Sequence, residues 1–365
     1  MTVYLLAGGG TAGHVNPLLA TADRLRERDP GAEILVLGTA EGLESRLVPQ
    51  RGYELLTIPR LPFPRRPNRD ALRFPGRSRA SIDRTAEYLD EHGVDVVVGF
   101  GGYAAAPAYL AARRRKLPIV IHEQNARPGL ANRLGARFTR YVGITFPSTR
   151  LRGARLVGLP LRREIERLDR PAARAEGIRF FGLDDRFPTL LVTGGSTGAR
   201  RLNEGISSAV AAILGSGWQV IHITGSRSPV DDPGLPGYHL LEYSDRMELA
   251  LAVTDLAVSR AGATTVSELA ALGIPAVFVP YAVGNGEQEL NARGAVAAGG
   301  ALLVADDQFD ARWVETSLVR LIEDRALVAD MAARIATTGT LDGADRMVDL
   351  VLEARDGGAS DDKVA

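Results

Sequence analysis

Residues Leu5–His14 read LLAGGGTAGH, and residues Leu190–Ala199 read LLVTGGSTGA. Each stretch begins in an apolar run that predicts a buried strand, and each ends where a helix is predicted to start. Glycines at such a turn let the backbone approach a ligand closely, and the helix N-terminus offers unpaired N–H groups to an anion. The matched pair predicts two nucleotide-binding halves that face each other across a cleft. For one such loop alone, a tight turn without a ligand is the alternative.

Apolar, β-branched runs alternate with helix-length segments along the rest of the chain. Runs that are apolar on both faces indicate strands of parallel sheets in βαβ units. The predicted fold class is therefore α/β, with two Rossmann-like domains. The predicted strands are Thr2–Ala7, Glu33–Gly38, Val94–Gly99, Ile119–His122, Tyr141–Ile144, Thr189–Thr193, Gln219–Thr224, Leu256–Ser259 and Ala276–Pro280.

The chain of 365 residues is long enough for two domains. An N-terminal domain is predicted over 1–158 and a C-terminal domain over 163–340, with the segment 157–162 as the linker. A helix over about 342–356 is expected to pack back on the first domain, and the residues after it are expected to be disordered.

The composition excludes several classes of protein. Hydrophobic residues make up 45% and charged residues 24% of the chain, as in ordinary globular proteins. The chain has no cysteine, so disulfides and thiolate metal sites are excluded. The first residues enter a predicted strand without a basic segment or cleavage site, which predicts no signal peptide. No apolar stretch is long enough to cross a bilayer.

The formal net charge of zero hides an asymmetry between the two halves of the chain. Residues 1–160 hold 24 Lys and Arg against 14 Asp and Glu, whereas residues 161–365 hold 20 against 30. A basic first half favours an anionic surface or substrate on that side. Attraction between the two domains is the alternative explanation.

The first glycine loop also matches G-x-G-x-x-G through Gly8, Gly10 and Gly13. This is the fingerprint of dinucleotide-binding domains. We disfavour that interpretation, because the fingerprint requires an acid at the end of the next strand and Glu41 lies beyond it. The second loop begins with Thr193 and breaks the pattern.

Another glycine turn, Gly99–Tyr103 (GFGGY), precedes a polar segment at His122–Asn125 (HEQN). Both follow predicted strands. Open α/β sheets bind their ligands at the carboxyl ends of strands, where these residues lie. Asn125 is therefore a candidate ligand contact, although it could equally close its strand with an Asx turn.

The segment Ser259–Glu268 (SRAGATTVSE) leads from a predicted strand into a predicted helix. Thr264 and Thr265 lie in the first turn of that helix, where exposed N–H groups suit a diphosphate. Glu268 lies about one turn further and could accept both hydroxyls of a ribose. Ser or Thr followed by Glu is also a capping pattern, so a capping role for Glu268 stays open.

Nothing in the sequence indicates a metal site. The chain contains no Asp-x-Asp and no His/Asp cluster with metal-ligand spacing. We therefore expect no metal and no cofactor, with helix N-termini and arginine neutralising a bound diphosphate.

The segment Arg60–Ala80 holds seven arginines against one acid, interleaved with Leu and Phe. Residues Arg113–Lys116 form a second basic cluster. Apolar residues in a basic field suit an anionic bilayer surface, and a solvated proline-rich loop is the alternative. No nucleic-acid motif accompanies the charge, so nucleic acid is not expected as a partner. The predicted membrane patch is Phe63, Arg65, Arg66, Arg69, Arg73 and Phe74.

Together these motifs resemble those of the MurG family of glycosyltransferases of bacterial peptidoglycan synthesis. The resemblance extends from residue 3 to about residue 350, and its most specific part is HEQN together with Gln288 and Asn291. The segments that carry it are Gly8–Pro17 (GGGTAGHVNP), Gly99–Pro107 (GFGGYAAAP), His122–Asn125 (HEQN), Gly194–Arg200 (GGSTGAR), Arg260–Glu268 (RAGATTVSE) and Asn285–Ala292 (NGEQELNA).

The resemblance implies a GT-B fold and an inverting glycosyltransferase. Such an enzyme moves N-acetylglucosamine (GlcNAc) from UDP-GlcNAc to the C4 hydroxyl of the muramoyl sugar in lipid I, which gives lipid II. The resemblance also implies a peripheral protein at the cytoplasmic face of the plasma membrane. Its expected partners are UDP-GlcNAc, lipid I, the anionic membrane surface and other cell-wall synthesis proteins.

The resemblance implies a role for each matching position. His14 is the candidate catalytic base or a diphosphate contact. Ser244 faces uracil through its backbone, and Gln288 binds the GlcNAc hydroxyls. Thr11, Ala12, Gly13 and Asn125 lie near the transferred sugar and the acceptor. The donor phosphates and ribose are held by Arg162, Ser196, Ala263, Thr264, Thr265, Val266, Ser267 and Glu268.

Two positions depart from the family pattern. Leu159 replaces an asparagine that is common before Pro160, and Glu287 replaces a common glutamine. A sugar contact by residue 287 is therefore in doubt. The competing hypotheses are a related glycosyltransferase with another lipid or small-molecule acceptor, and a non-catalytic nucleotide-binding scaffold.

Overall fold

The structure is a computed structural model that describes residues 1–61, 69–195, 199–281 and 286–361. The chain divides into two compact units. Unit 1 comprises Met1–Arg162 and Leu341–Ala365, and unit 2 comprises Arg163–Thr340. Each unit is built on one parallel sheet.

The sheet of unit 1 has seven parallel strands in the order β3-β2-β1-β4-β5-β6-β7. In its register, Leu5 of the central strand pairs with Leu35 on one side and Val97 on the other. The strands are β1 Val3–Ala7, β2 Glu33–Gly38, β3 Glu54–Thr57, β4 Val96–Gly99, β5 Ile119–Glu123, β6 Tyr141–Ile144 and β7 Ala154–Leu156.

The sheet of unit 2 has six parallel strands in the order β10-β9-β8-β11-β12-β13. They are β8 Thr189–Thr193, β9 Gln219–Ile223, β10 Tyr238–Leu241, β11 Thr254–Ser259, β12 Ala276–Phe278 and β13 Ala301–Leu303. Both sheets begin with the Rossmann strand order, so the winding reverses between β1 and β4 and again between β8 and β11. The prediction of an α/β fold with two Rossmann-like parallel sheets is confirmed.

Helices connect the strands and cover both faces of each sheet. The helices are α1 Ala12–Arg28, α2 Glu44–Gln50, α3 Arg69–Glu91, α4 Gly102–Arg114, α5 Leu130–Gly135, α6 Arg163–Glu166, α7 Arg170–Phe181, α8 Arg200–Gly215, α9 Met247–Val253, α10 Ala263–Ala271, α11 Glu287–Ala297, α12 Ala311–Trp313, α13 Val319–Glu323, α14 Arg325–Ala336 and α15 Gly343–Asp361. A 3₁₀ turn spans Asp306–Gln308 and a π turn spans Val314–Leu318. Of these helices, none is long and apolar enough in its described residues to span a membrane.

The central strand β1 explains why the sheet of unit 1 is buried on both faces. All five of its residues are buried, and alternate side chains enter different cores. Tyr4 and Leu6 pack with Leu18 of α1 and Met347 of α15, whereas Leu5 packs with Tyr109 of α4.

The C-terminal helix α15 belongs to unit 1 and packs on α1. Charged pairs join the two helices, with Arg24 Nη1 2.9 Å from Asp345 and Arg28 Nη2 3.0 Å from Asp349. The helix continues to Asp361, whereas the sequence predicted an end near residue 356.

Candidate active site

Two loops meet at the switch point of unit 1. One follows β1 and leads into α1, and the other follows β4 and leads into α4. A Cβ atom on Gly102 would lie 2.5 Å from the carbonyl oxygen of Gly9, and Gly102 has φ of +77°. Only glycine fits this conformation and this distance, so the glycines allow the two backbones to touch.

His14 lies in the first turn of α1 and faces these loops. Its Nδ1 atom is 2.9 Å from the hydroxyl of Thr11, the N-cap residue, whose side chain makes no cap hydrogen bond. A Cβ atom on Gly101 would lie 3.2 Å from Nε2 of the ring. The imidazole is therefore fixed through one nitrogen and packed against the second loop.

The surroundings of His14 keep its ring neutral. Burial lowers the pKa of His14 to about 4, although the Glu44 carboxylate acts in the opposite direction. A neutral imidazole at pH 7 can accept a proton from a hydroxyl group. The geometry thus suits a general base. Ala12 and Gly13 lie beside it in the first turn of the same helix.

Glu44 is a buried acid that the sequence did not single out. Its carboxylate accepts hydrogen bonds from the Gly10 N–H (2.8 Å) and from the N–H (3.0 Å) and hydroxyl (2.7 Å) of Thr39. Burial alone would raise its pKa, but these hydrogen bonds outweigh burial and lower it. Glu44 follows Glu41 in the connection after β2, and its bonds to the protein leave it poorly placed to hold a ribose.

The other histidine considered, His122, is fully buried at the end of β5. Its Nε2 lies 2.9 Å from the carbonyl oxygen of Gly158, to which it donates. Burial lowers its pKa to about 4 as well. His122 therefore ties β5 to the segment that ends unit 1, and His14 is the histidine that faces the glycine loops.

Asn125 follows β5 in a turn that is organised by Glu123. The buried Glu123 carboxylate accepts hydrogen bonds from the N–H groups of Asn125 (2.9 Å) and Gly129 (2.9 Å) and from the amide of Asn132 (3.0 Å). Burial raises the pKa of Glu123 in spite of these bonds. Asn125 is half-buried, at the same carboxyl edge of the sheet as His14.

The turn between β11 and α10 forms the switch point of unit 2. The hydroxyl oxygens of Ser259, Thr264 and Ser267 are buried there and have no hydrogen-bond partner among the described residues. Unpaired buried hydroxyls are costly, and a polar ligand would satisfy them. Because they surround the N-terminus of a helix, the turn suits a phosphate group.

Glu268 does not fit a capping role in this helix. The N-cap is Gly262, so a capping-box acid would lie at the third helical position, which is Thr265. Glu268 is the sixth residue of α10 and shares a face with Thr264 and Thr265. It is buried, with 8% of its surface exposed. A ribose acceptor remains the interpretation for this carboxylate.

Other motif residues join the elements around this turn. Arg260 is buried and donates to two backbone carbonyls after β12 and to Asp306. Asn291 of α11 donates to the Ala261 carbonyl at 3.3 Å. Gln288 Oε1 accepts the Tyr281 N–H at 2.9 Å. The motif around α11 thus holds the ends of β11 and β12 together.

The remaining predicted residues occupy several places. Ser244 is buried after β10, where its hydroxyl accepts the Arg246 N–H at 3.3 Å. Arg162 is the half-buried last residue before unit 2, and Ala263 and Val266 lie in the first turns of α10. On α3, Arg73 is exposed and Phe74 half-buried, and Arg69 is its first residue. Phe63, Arg65, Arg66 and Ser196 lie outside the described residues.

Within the described ranges, no group of His, Cys, Asp and Glu side chains could hold a metal ion.

The whole chain is similar to known proteins. The N-terminal domain of glycosyltransferase family 28 matches residues 4–144, and the C-terminal domain of that family matches residues 189–347. A relative from Leifsonia xyli subsp. xyli is 62% identical over 351 residues, which cover 96% of this chain and 98% of the relative. A second relative, from Clavibacter sepedonicus, is 62% identical over 355 residues, 97% of each chain.

Both relatives are named UDP-N-acetylglucosamine–N-acetylmuramyl-(pentapeptide) pyrophosphoryl-undecaprenol N-acetylglucosamine transferase. Among solved structures, the crystal structure of MurG from Acinetobacter baumannii superposes with a TM-score of 0.80 and 28% identity. That match covers 97% of this chain and all of the other. The predicted GT-B fold is confirmed, and the chain belongs to the MurG family of N-acetylglucosamine transferases, with both domains of glycosyltransferase family 28.

Proposed function

We propose that this chain transfers GlcNAc from UDP-GlcNAc to the C4 hydroxyl of the muramoyl sugar in lipid I, with inversion at the anomeric carbon. The product is lipid II, the precursor of peptidoglycan. The observation that carries the proposal is His14, a neutral imidazole fixed by Thr11 at the switch point of unit 1. Full-length relatives with this printed activity support the choice of substrates.

His14 removes the proton of the acceptor hydroxyl as its oxygen attacks the anomeric carbon of the donor. The bond between that carbon and the diphosphate breaks, and UDP leaves with the electron pair. A single displacement of this kind inverts the anomeric centre. Thr11, Ala12, Gly13 and Asn125 surround the acceptor on the carboxyl edge of the same sheet.

Unit 2 binds the donor. The N-terminus of α10 and the hydroxyls of Thr264 and Ser267 receive the diphosphate, together with Ser196 and Arg162. Glu268 accepts the ribose hydroxyls, the backbone near Ser244 meets uracil, and Gln288 reads the GlcNAc hydroxyls. The helix N-terminus and Arg162 neutralise the departing diphosphate, so the reaction needs neither a metal nor a cofactor.

Unit 1 also docks on the cytoplasmic face of the plasma membrane, where lipid I is held, as a peripheral protein. Arg79, Arg114 and Arg115 pair with acids, whereas Lys116 and Arg137 form no ion pair with any side chain in the described part of the chain. Lys116 and Arg137 line an open pocket of about 670 Å³. Uncompensated cations suit an anionic lipid surface. Contacts with other cell-wall synthesis proteins belong to the same proposal.

The deciding experiment supplies purified chain with UDP-GlcNAc and lipid I and measures lipid II and released UDP. We expect turnover that persists in excess EDTA. UDP release without lipid II would indicate another acceptor. An absence of both products would leave a nucleotide-binding scaffold. Activity lost in EDTA and restored by Mg²⁺ or Mn²⁺ would contradict the metal-free mechanism.

A further inference from the structure

The buried carboxylate of Glu44 lies directly behind the glycine loop that precedes α1. Glu44 is completely buried at the first position of α2. A Cβ atom would lie 2.3 Å from Glu44 Oε1 if placed on Gly9, and 2.1 Å from Oε2 if placed on Gly42. These glycines leave the space that the carboxylate fills, so the loop and the acid fit each other.

The carboxylate joins the ends of two neighbouring strands. It accepts the Gly10 N–H after β1 and both the N–H and the hydroxyl of Thr39 after β2. All three donors are uncharged. Gly10 has φ of +91°, a conformation that other residues rarely adopt. Its N–H is held by the Glu44 carboxylate, immediately before Thr11 and the start of α1.

This arrangement makes the glycine loop between β1 and α1 a poor binding site for an anion. One of its N–H groups is already used, and a negative charge lies behind it. The same charge interacts favourably with a protonated His14. The loop therefore serves to place the start of α1, and with it the Thr11–His14 pair.

We propose that Glu44 is a positioning residue for the transfer reaction, whose buried carboxylate fixes the glycine loop and so sets the place of His14. This inference rests on the proposed function, in which His14 is the base. The other charged groups near Glu44, Glu41 and Arg60, are exposed. Arg60 interacts electrostatically with both acids, and its guanidinium stacks on the Tyr103 ring at 5.0 Å.

The test compares E44Q with a matched control, E41Q, in the full chain. Glu41 is an exposed acid three positions earlier in the same connection. A misplacement of about 1 Å costs on the order of 100-fold in rate, so kcat of E44Q should fall at least about tenfold. Its acid limb should move to lower pH, because the charge that raises the pKa of His14 is gone. E41Q should match wild type.

Donor binding separates a positioning role from general damage to the fold. The Kd of UDP, measured by calorimetry, should stay unchanged in E44Q, because the donor groups belong to unit 2. The H14A/E44Q double variant should be no slower than H14A, since Glu44 acts through His14. An additive loss, or wild-type kcat and pH profile in E44Q, would overturn the proposal.

A further variant covers the case in which E44Q does not fold. T39V removes only the 2.7 Å hydrogen bond to the carboxylate. Reduced kcat with unchanged UDP affinity in T39V supports the role of Glu44, and wild-type kcat contradicts it. Failure of the proposed function gives a different result, because wild type would then make no lipid II. Failure of the base assignment alone would leave H14A as fast as wild type. If, in that case, E44Q is slow but the acid limb of its kcat–pH profile has not moved, Glu44 does not act through His14, and its positioning role is overturned too.

Discussion

The hydroxyl of Thr11 lies 2.9 Å from Nδ1 of His14. An N-cap threonine ordinarily accepts an N–H of its own helix, but Thr11 makes no such bond. The hydrogen bond between Thr11 and His14 occupies Nδ1 of the ring and leaves Nε2 for a substrate. When the hydroxyl accepts from Nδ1–H, the lone pair lies on Nε2, the tautomer that a general base requires.

Replacing His14 by alanine should lower kcat by about 10²- to 10⁴-fold, the usual range for loss of a general base. UDP binding should change little. The wild-type acid limb should lie near pH 4 rather than 6.5, because burial lowers the pKa of His14 and only the neutral ring accepts a proton. The measurement is kcat against pH with a soluble acceptor analogue. A limb near pH 6.5 would contradict the neutral imidazole, and normal kcat with weak acceptor binding would make His14 a diphosphate contact.

The Thr11 hydroxyl should matter through the orientation of His14. T11V removes the hydroxyl at nearly constant volume and should lower kcat about tenfold, whereas T11S keeps the hydroxyl and should stay close to wild type. Steady-state kinetics of both variants provide the check. Equal activity of T11V and T11S would show that the hydrogen bond does not orient the base.

Glu268 should govern recognition of the ribose. Loss of a charged acceptor from a buried site costs about 1.5–3 kcal/mol, so E268A should raise the KM for UDP-GlcNAc roughly ten- to a hundredfold. The matched control is E204A, which removes an exposed acid from α8. Wild type should disfavour a 2′-deoxy donor, and E268A should lose that preference. A preserved preference would assign the ribose to another group.

The strands that the sequence predicted and those it missed differ in their position in the sheets. Nine predicted strands are present within two residues at either end. The four unpredicted strands, β3, β7, β10 and β13, are the outer strands of the two sheets. Edge strands are short and partly exposed, so they lack the continuous apolar run that identifies an inner strand.

The motifs identified the loops of the candidate site but not their internal bonds. His14 and Glu268 could be chosen from the sequence because each follows a glycine turn. Glu44 could not, since its burial depends on the space left by Gly9, which is distant in sequence. The capping alternative for Glu268 could be decided only once the N-cap of α10 was known to be Gly262. Local sequence defines such a helix boundary poorly.

The basic surface of unit 1 should bind anionic lipid. Each arginine near such a surface contributes about 1 kcal/mol, so reversing four charges should weaken vesicle binding by at least about 4 kcal/mol, roughly 1000-fold or more. The variant changes Arg65, Arg66, Arg69 and Arg73 to glutamate. The matched control reverses four exposed arginines of unit 2, namely Arg179, Arg312, Arg320 and Arg325.

Binding is measured by co-sedimentation with phosphatidylglycerol/phosphatidylcholine vesicles at low and high salt. Wild type and the unit 2 control should bind equally well, and salt should weaken both because it screens the charges. The unit 1 variant should lose binding yet retain full turnover with a soluble acceptor analogue, since the reversed charges lie outside the proposed catalytic and donor sites. Turnover of lipid I in vesicles should fall with binding. Unchanged sedimentation of the unit 1 variant, or equal loss in both variants, would show that this surface does not hold the protein at the membrane.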